Sequence, residues 1–233
     1  MTEKPAPAIS DEIIEAVDLA VERSLRGRLG RSMVMIGETE EQRGRAINAI
    51  LGTVMDHRNY GMPLHGAVDN SLAEQLARVA VFVGKRIEGD NGPVDRLKRV
   101  VSGFRRAHLG DDVRLKDTEI GVADSGEMSM DLPDLLEELG KATKAVGKVV
   151  VIPVGEMQGF SKPDMTSLLM ALHRVNQQSL PVILVGAGSP ETPRLAGEAR
   201  SYSERMLDFP QLPVTPKPGA DGAAPDNRRT RRP

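Results

Sequence analysis

Short apolar runs alternate with amphipathic stretches along this chain, and this alternation limits the folds it can adopt. Three runs read SMVMIG at residues 32–37, KVVVIPV at 148–154 and LPVILVG at 180–186. None alternates apolar with polar residues, so each run predicts a strand that is buried on both sides. Buried strands separated by amphipathic helices are typical of a parallel sheet covered on both faces. The sequence therefore predicts an α/β domain of three layers.

Capping signals place several of the intervening helices. Ser10 precedes one helix, Ser71 opens a second in the capping-box pattern SLAE, and Ser161 precedes a third. A further helix is predicted over residues 131–146, with Pro133 in its first turn, where a missing backbone donor is tolerated.

Composition excludes several classes of site. The 233 residues carry a formal net charge of −2 and no cysteine, which excludes disulfides, Cys-ligated zinc and thiol catalysis. The four histidines, at positions 57, 65, 108 and 173, are scattered without ligand spacing. We therefore expect no metal site.

Both ends of the chain predict disorder. Residues 1–9 are small, polar and proline-containing, and residues 210–233 hold six prolines and a terminal cluster of four arginines. This leaves residues 10–209 as the folded domain. The start of the chain lacks the apolar core of a signal peptide, and the longest apolar runs are about six residues, against roughly twenty for a membrane span. We expect a cytoplasmic protein without membrane contact.

Basic residues are densest between positions 96 and 116, where seven arginines and lysines occur. Such a stretch fits either a nucleic-acid contact or a solvated helix face. Phe104 is the one aromatic residue within it, so base stacking has little support. The nucleic-acid interpretation remains an alternative.

Several segments in the second half carry a resemblance to a known family. They include GVADSG at residues 121–126, VVVIPVGEMQ at 149–158, LPVILVGAGSP at 180–190 and GEARSYSERMLDF at 197–209. Together they resemble a bacterial family of AAA+-type P-loop ATPases, "ATP-binding proteins" related to archaeal ATPases. The resemblance covers about residues 120–209 and implies a P-loop NTPase-like fold.

The family's phosphate-binding loop would follow the first strand, where the pattern G-x-x-x-x-G-K-[ST] is expected. This chain has GETEEQRG at residues 37–44. Gly37 matches the first glycine, Gln42 replaces the second, Arg43 replaces the lysine and Gly44 replaces the hydroxyl residue. The three glutamates of this segment would also repel a triphosphate, because like charges about 4 Å apart cost about 4 kcal/mol at an effective dielectric of 20.

The family's catalytic acids are also incomplete. An aspartate and a glutamate are implied at the end of the central strand, for magnesium and for the attacking water. Here Gly155 takes the aspartate position and only Glu156 remains. Pro153 further removes a backbone donor from this strand, which we interpret as a second defect.

Two further positions follow from the resemblance. Arg205 matches an arginine that senses nucleotide or a neighbouring subunit, and Ser189, after a predicted turn at residues 186–188, matches a γ-phosphate sensor. A surface helix and an ordinary strand-to-loop turn explain the same residues. The helical lid and the winged-helix part of the family have no counterpart after Phe209.

The sequence thus favours a catalytically inactive AAA+-like domain that acts through a protein partner, either a related ATPase or a host protein. No cofactor is expected. The alternative is a divergent ATPase that uses Arg43 and Glu156 with ATP and magnesium. The further alternative is a nucleic-acid-associated protein.

Overall fold

The computed structural model describes residues 8–56, 59–67, 70–87 and 92–213. In chain order the elements are α1 (Asp11–Leu25), β1 (Ser32–Ile36), α2 (Glu40–Asp56), β2 (Tyr60–Gly61), β3 (Leu64–His65), α3 (Leu72–Arg86), α4 (Gly92–Leu109), α5 (Met128–Ala145), β4 (Val150–Gly155), α6 (Lys162–Gln177), β5 (Val182–Gly188), α7 (Thr192–Ala199), α8 (Ser203–Met206) and β6 (Leu207–Asp208). Ser10, Ser71 and Ser161 each accept a hydrogen bond from the backbone three residues on, which confirms the three capping predictions.

All six strands form one parallel sheet. β4, β5, β1 and β6 lie side by side in that order, and β2 and β3 pair one after the other with the outer side of β4. The three apolar runs supply β1, β4 and β5, which are buried along their whole length. The parallel α/β prediction is confirmed.

Helices cover both faces of the sheet. α1 and α2 pack on one face against a cluster that includes Met35, Val151 and Ile183. α3 to α7 lie on the other face, whose cluster includes Val34, Ile152 and Leu184. Neighbouring strand residues point to opposite faces, so each strand contributes to both clusters. The fold has the three predicted layers.

Pro153 does not disrupt the sheet. Val149 and Gly155 direct their carbonyls toward β2 and β3, whereas Val150 donates to the β5 side. Because backbone direction alternates along a strand, the nitrogen of Pro153 faces the β2–β3 side. That edge is interrupted between Gly61 and Leu64, opposite Pro153. The interpretation of Pro153 as a defect was wrong, because no ladder bond is lost there.

Two local predictions also need correction. α5 starts at Met128, three residues before the predicted start, so Pro133 lies in its second turn. Asp131 is buried and accepts bonds from Ser125, Gly126 and His108, and it fastens the preceding loop to α4. The predicted turn at residues 186–188 is instead the end of β5, since Gly186 and Gly188 pair with β1.

The packed domain continues four residues beyond the predicted boundary at position 209. The Ile36 N–H donates to the Pro210 carbonyl, and the Ile36 carbonyl accepts from the Leu212 N–H, each at 2.8 Å. The Leu212 side chain is 5% exposed and belongs to the core of the α1–α2 face. At the other end Ile9 is likewise buried. Residues 1–7 and 214–233, where disorder is predicted, lie outside the described residues.

No helix among the described residues is both long enough and apolar enough to cross a bilayer.

Two truncated chains would distinguish the contribution of residues 210–213 to stability from that of residues 214–233. A chain ending at Pro213 should unfold at the same temperature as the full chain, because the sequence predicts no packing for residues 214–233. A chain ending at Phe209 should lose about 3 kcal/mol, from one buried leucine and two backbone hydrogen bonds. Thermal and urea unfolding of both chains would measure this, and equal stability of the two would contradict it.

Candidate functional site

Gly37, Arg43 and Glu156 come together at the carboxyl ends of β1 and β4. Gly37 directly follows β1, Glu156 directly follows β4, and Arg43 lies in the first turn of α2. Ligands of open α/β sheets bind at this edge of the strands. The structure thus brings these three residues together at one edge of the sheet.

Arg43 and Glu156 form a bidentate ion pair. Nε of Arg43 donates to Oε1 of Glu156 at 2.7 Å, and Nη2 donates to Oε2 at 2.6 Å. Nη1 of Arg43 donates to the Gly37 carbonyl at 2.8 Å. The two side chains are only 8% and 9% exposed. Arg43 and Glu156 therefore neutralise each other inside the protein.

The pair shifts the titration of both groups. Hydrogen bonds from Arg43 hold the pKa of Glu156 below its ordinary value of 4.5, against the opposing effect of burial. The same contact raises the pKa of Arg43. Both oxygens of the Glu156 carboxylate already accept hydrogen bonds, from Arg43 and Gln158, and the lowered pKa makes the carboxylate a weaker base for an attacking water.

The loop after β1 is short, and two of its amides are already hydrogen-bonded within the protein. α2 begins at Glu40, only three residues after Gly37. The Gly37 N–H donates to the Gly188 carbonyl at 3.1 Å, and the Glu38 N–H donates to Oε1 of Gln42 at 3.0 Å. A phosphate-binding loop needs such amides pointing toward the ligand. Here they point into the protein.

The start of α2 is capped by the chain itself. Thr39 Oγ1 accepts from the Gln42 N–H at 3.2 Å. Glu40 and Glu41 are exposed in the first turn, where negative charge favours the helix dipole. The glutamates thus have a structural role, and together with Glu38 they make the mouth of the site acidic.

Gln42 and Gln158 make contacts at this site that the sequence did not predict. Nε2 of Gln42 donates to the Pro213 carbonyl at 2.6 Å, which joins the start of α2 to the C-terminal segment. Nε2 of Gln158 donates to Oε2 of Glu156 at 2.6 Å, and its Oε1 accepts from the Ser189 N–H at 3.0 Å. The signal for Gln42 was its place at the second glycine of the motif. Gln158 had no signal of its own.

The chain turns sharply after β4. Glu156 adopts a left-handed conformation with φ 49° and ψ 50°, which is uncommon for a residue with a side chain. Its carbonyl lies 2.2 Å from where a Cβ on Gly66 would be, so only glycine fits opposite this turn. A Cβ on Gly155 would meet Cδ2 of His65 at 3.0 Å. The position expected for a magnesium aspartate is crowded by this ring.

A cleft of about 630 Å³ opens beside the ion pair, between α2 and the ends of β3 and β4. Its apolar lining includes Ile47, Leu51 and Leu64, and its acidic rim is formed by Glu40 and Glu41. Among the described residues that line it there is no lysine or arginine, and His65 is the one basic side chain. Among the described residues no group of three or more His, Asp or Glu side chains could hold a metal ion.

Arg205 lies away from this site. It is exposed on α8, next to Leu29, Arg31 and Tyr202, at the end of the sheet where β1 and β6 begin. The Arg43–Glu156 pair is at the opposite edge. Arg205 therefore cannot sense a ligand bound beside Glu156 of its own chain. Of the two predicted roles, only contact with a neighbouring subunit is compatible with this position.

Comparison of the chain with protein-family models and with curated proteins gives no match. The family resemblance therefore remains a prediction from the sequence, while the α/β parallel-sheet fold is observed directly.

Removing one member of the buried pair should strongly destabilise the protein. We expect Glu156→Gln or Arg43→Met to cost about 3–5 kcal/mol each, because each leaves a buried charge without its partner. The double variant should cost clearly less than the sum of the two. Urea unfolding of all four chains would measure the coupling.

The exposed pair Glu22–Arg26, whose side chains are 61% and 70% exposed, is the matched control. The corresponding cycle with Glu22→Gln and Arg26→Met should give a coupling below about 1 kcal/mol. Equal coupling at both pairs would contradict the assignment of the Arg43–Glu156 pair as a buried interaction.

The stability due to the pair should also depend on pH. A carboxyl whose folded pKa is lowered stabilises the fold fully above its unfolded value, here 4.5, and loses this contribution as the pH falls below it. The difference in unfolding free energy between the wild type and the double variant should therefore change between pH 7 and pH 3, the wild type losing more. A pH-independent difference would contradict the lowered pKa.

Proposed function

We propose that this chain is a catalytically inactive, AAA+-like P-loop domain that acts through protein–protein contact. The observation that carries the proposal is the bidentate Arg43–Glu156 pair. Under the family resemblance, these two residues stand where nucleotide binding and hydrolysis would each need a free side chain.

Binding of MgATP would oppose three features of the site at once. Arg43 would have to leave Glu156, which uncovers a buried carboxylate at a cost of several kcal/mol. The amides of Gly37 and Glu38 would have to give up their present acceptors. The phosphates would then approach the glutamates at the start of α2. The residues present do not fit a nucleoside triphosphate.

The Arg43–Glu156 pair and its neighbouring hydrogen bonds also link elements of the fold. The ion pair joins α2 to β4, and Gln158 continues the contact to the end of β5. A domain that retains its packing without turnover can still present surfaces to a partner. We propose a related ATPase or a host protein as that partner, in the cytoplasm.

Calorimetric titration with ATP and magnesium tests the inactive state. We expect no binding up to about 1 mM ATP, which corresponds to less than about 4 kcal/mol of binding free energy. The Arg43→Met/Glu156→Gln double variant should behave in the same way, because the loop amides remain bonded. Micromolar binding by the wild type, or turnover that Glu156→Gln abolishes, would overturn the proposal and favour the divergent ATPase.

A pull-down of the tagged full-length chain from its native cell tests the partner. Stoichiometric recovery of a larger ATPase would support the proposal. Recovery of the chain alone under gentle, low-salt conditions would argue against it.

The nucleic-acid alternative loses support from the placement of the basic residues. Arg96 pairs with Glu119 at 2.8 Å and with Glu138 at 2.9 Å, and Arg99 pairs with Glu119 at 2.9 Å. Arg105 pairs with Asp111. The basic stretch is thus largely neutralised within the chain.

We expect weak duplex-DNA binding at most, without a steep dependence on salt. A logarithmic plot of the binding constant against salt should have a slope smaller than about 2, because few phosphates are neutralised. Fluorescence anisotropy between 50 and 200 mM salt, on the order of physiological strength, would measure it. A steep slope that Arg106→Ala reduces would restore the alternative.

A further inference from the structure

The cleft beside the Arg43–Glu156 pair has an open and largely apolar interior. Its volume is about 630 Å³, and its apolar lining comes from α2 and from the chain around β3. Gly44 of α2 also lines it, and a Cβ at this position would have no atom of the described residues within 4 Å. Glycine lets another backbone approach closely, although it weakens a helix. The cleft therefore has room for a short segment of extended chain. Its apolar residues are Ile47, Leu51, Pro63 and Leu64.

The rim of this cleft carries negative charge that no described residue neutralises. Glu40 and Glu41 line the rim, and Glu38 is exposed in the loop just before them. Arg43 turns away from the rim, because its guanidinium is bonded to its buried carboxylate partner. Within the described part of the chain, none of the three glutamates forms an ion pair. An apolar cleft with an acidic rim attracts a segment that is both apolar and cationic.

The C-terminal segment reaches this rim at the last described residue. The Pro213 carbonyl accepts a hydrogen bond from Nε2 of Gln42 at 2.6 Å, and Gln42 directly follows Glu41. Leu212 is held one residue earlier, by a backbone hydrogen bond to Ile36 at the end of β1. Residues 214–233 therefore begin beside the first turn of α2.

The composition of residues 214–233 is complementary to the cleft. They contain five cations and two acids, and four of the cations are the arginines at positions 228, 229, 231 and 232. The apolar sequence Ala223-Ala224-Pro225 comes just before this cluster. Proline-containing segments dock in apolar grooves with a small further loss of conformational entropy. The segment thus supplies apolar residues for the cleft and cations for its rim.

We propose that residues 223–232 dock in this cleft within the same chain, with the arginines against Glu38, Glu40 and Glu41. Fourteen residues separate Pro213 from Arg228. An extended chain spans about 3.3 Å per residue, so these fourteen can span roughly 45 Å. The 17 residues of α2, which borders the cleft, make a helix only about 25 Å long. The arginines can therefore reach every part of the rim.

The covalent connection favours this segment over the same segment of a second copy. A short linker gives a tethered segment an effective concentration on the order of 1 mM. Exposed ion pairs contribute little each, so we expect a dissociation constant of the same order, about 1 mM. About half of the molecules then hold the docked segment, whereas a second copy at micromolar concentration does not compete.

A contact of this strength acts on access to the cleft and hardly on stability. It changes the folding equilibrium by a factor of about two, too little to separate the unfolding temperatures of the full chain and of a chain ending at Pro213. A basic segment of a partner must displace the docked residues before it can enter the cleft. The contact leaves the Arg43–Glu156 pair closed, so it does not depend on whether the chain binds nucleotide.

Paramagnetic broadening in NMR spectra of the full chain measures the docking. The chain has no cysteine, so Thr230→Cys carries a single nitroxide within the arginine cluster. At low salt the amide signals of Gly44 and Asn48 should lose about half of their intensity or more, because about half of the molecules are docked. Most of this loss should disappear at about 1 M salt, where the screening length is about 3 Å. The amide signal of Glu204, at the opposite edge of the sheet, should stay sharp at both salt concentrations.

Neutral variants identify the charges that hold the segment. Glu40→Gln/Glu41→Gln removes the charges of the rim and should restore the signals at the cleft. The matched control is Glu12→Gln/Glu15→Gln, which removes two exposed glutamates from α1 on the same face of the sheet. This control should leave the broadening unchanged. Thermal unfolding of each variant shows that it is folded.

Reversal of charge on both sides tests the pairing itself. Arg228→Glu/Arg229→Glu should abolish the broadening, and so should Glu40→Lys/Glu41→Lys. The chain that carries all four substitutions should regain most of it, because opposite charges again face each other.

Sharp cleft signals in the labelled wild type at low salt would overturn the proposal. Broadening that survives Glu40→Gln/Glu41→Gln, or that the α1 control reduces equally, would also overturn it. Mixing an isotope-labelled chain with a separate nitroxide-labelled chain should produce no broadening, and broadening in that mixture would show a contact between copies instead. None of these results bears on the calorimetric titration with ATP, so failure of this inference is distinguishable from failure of the proposed function.

Discussion

The buried ion pair between Arg43 and Glu156 is the interaction on which the carboxyl edge of the sheet depends. It joins the first turn of α2 to the end of β4, and further hydrogen bonds link Arg43 to the Gly37 carbonyl and Glu156 to Gln158. A buried pair is stabilising only when such additional bonds are present. The left-handed turn at Glu156 is one local cost of aiming the carboxylate at the guanidinium. The short loop, the cap of α2 and the C-terminal segment are all arranged around this contact.

The fold could be predicted from the sequence because its signal is local. Each of the three central strands is a continuous apolar run, and three of the helices begin after a serine N-cap. The site was predicted in part. Arg43 and Glu156 were identified as replacements in a motif, but their pairing joins positions 113 residues apart and follows only from the strand order. Pro153 was misjudged for the same reason, since its effect depends on where the neighbouring edge is interrupted.

Charge was harder to interpret than hydrophobicity. Seven basic residues within 21 positions suggest a cationic surface when they are counted along the chain. In the fold, Glu119 and Glu138 reach them from other elements and neutralise much of that charge. The density of basic residues along the chain thus overestimates the basic surface in the fold.

The interrupted outer edge of the sheet has a consequence for how this protein can meet others. A long, flat edge strand offers unpaired amides and carbonyls to any extended chain, which leads to strand addition and to fibrous aggregation. Here one edge consists of two-residue strands broken around Pro63, and the other is the two-residue β6. Neither edge offers a long enough register for an incoming strand. The two short edges therefore protect the sheet against the addition of further strands.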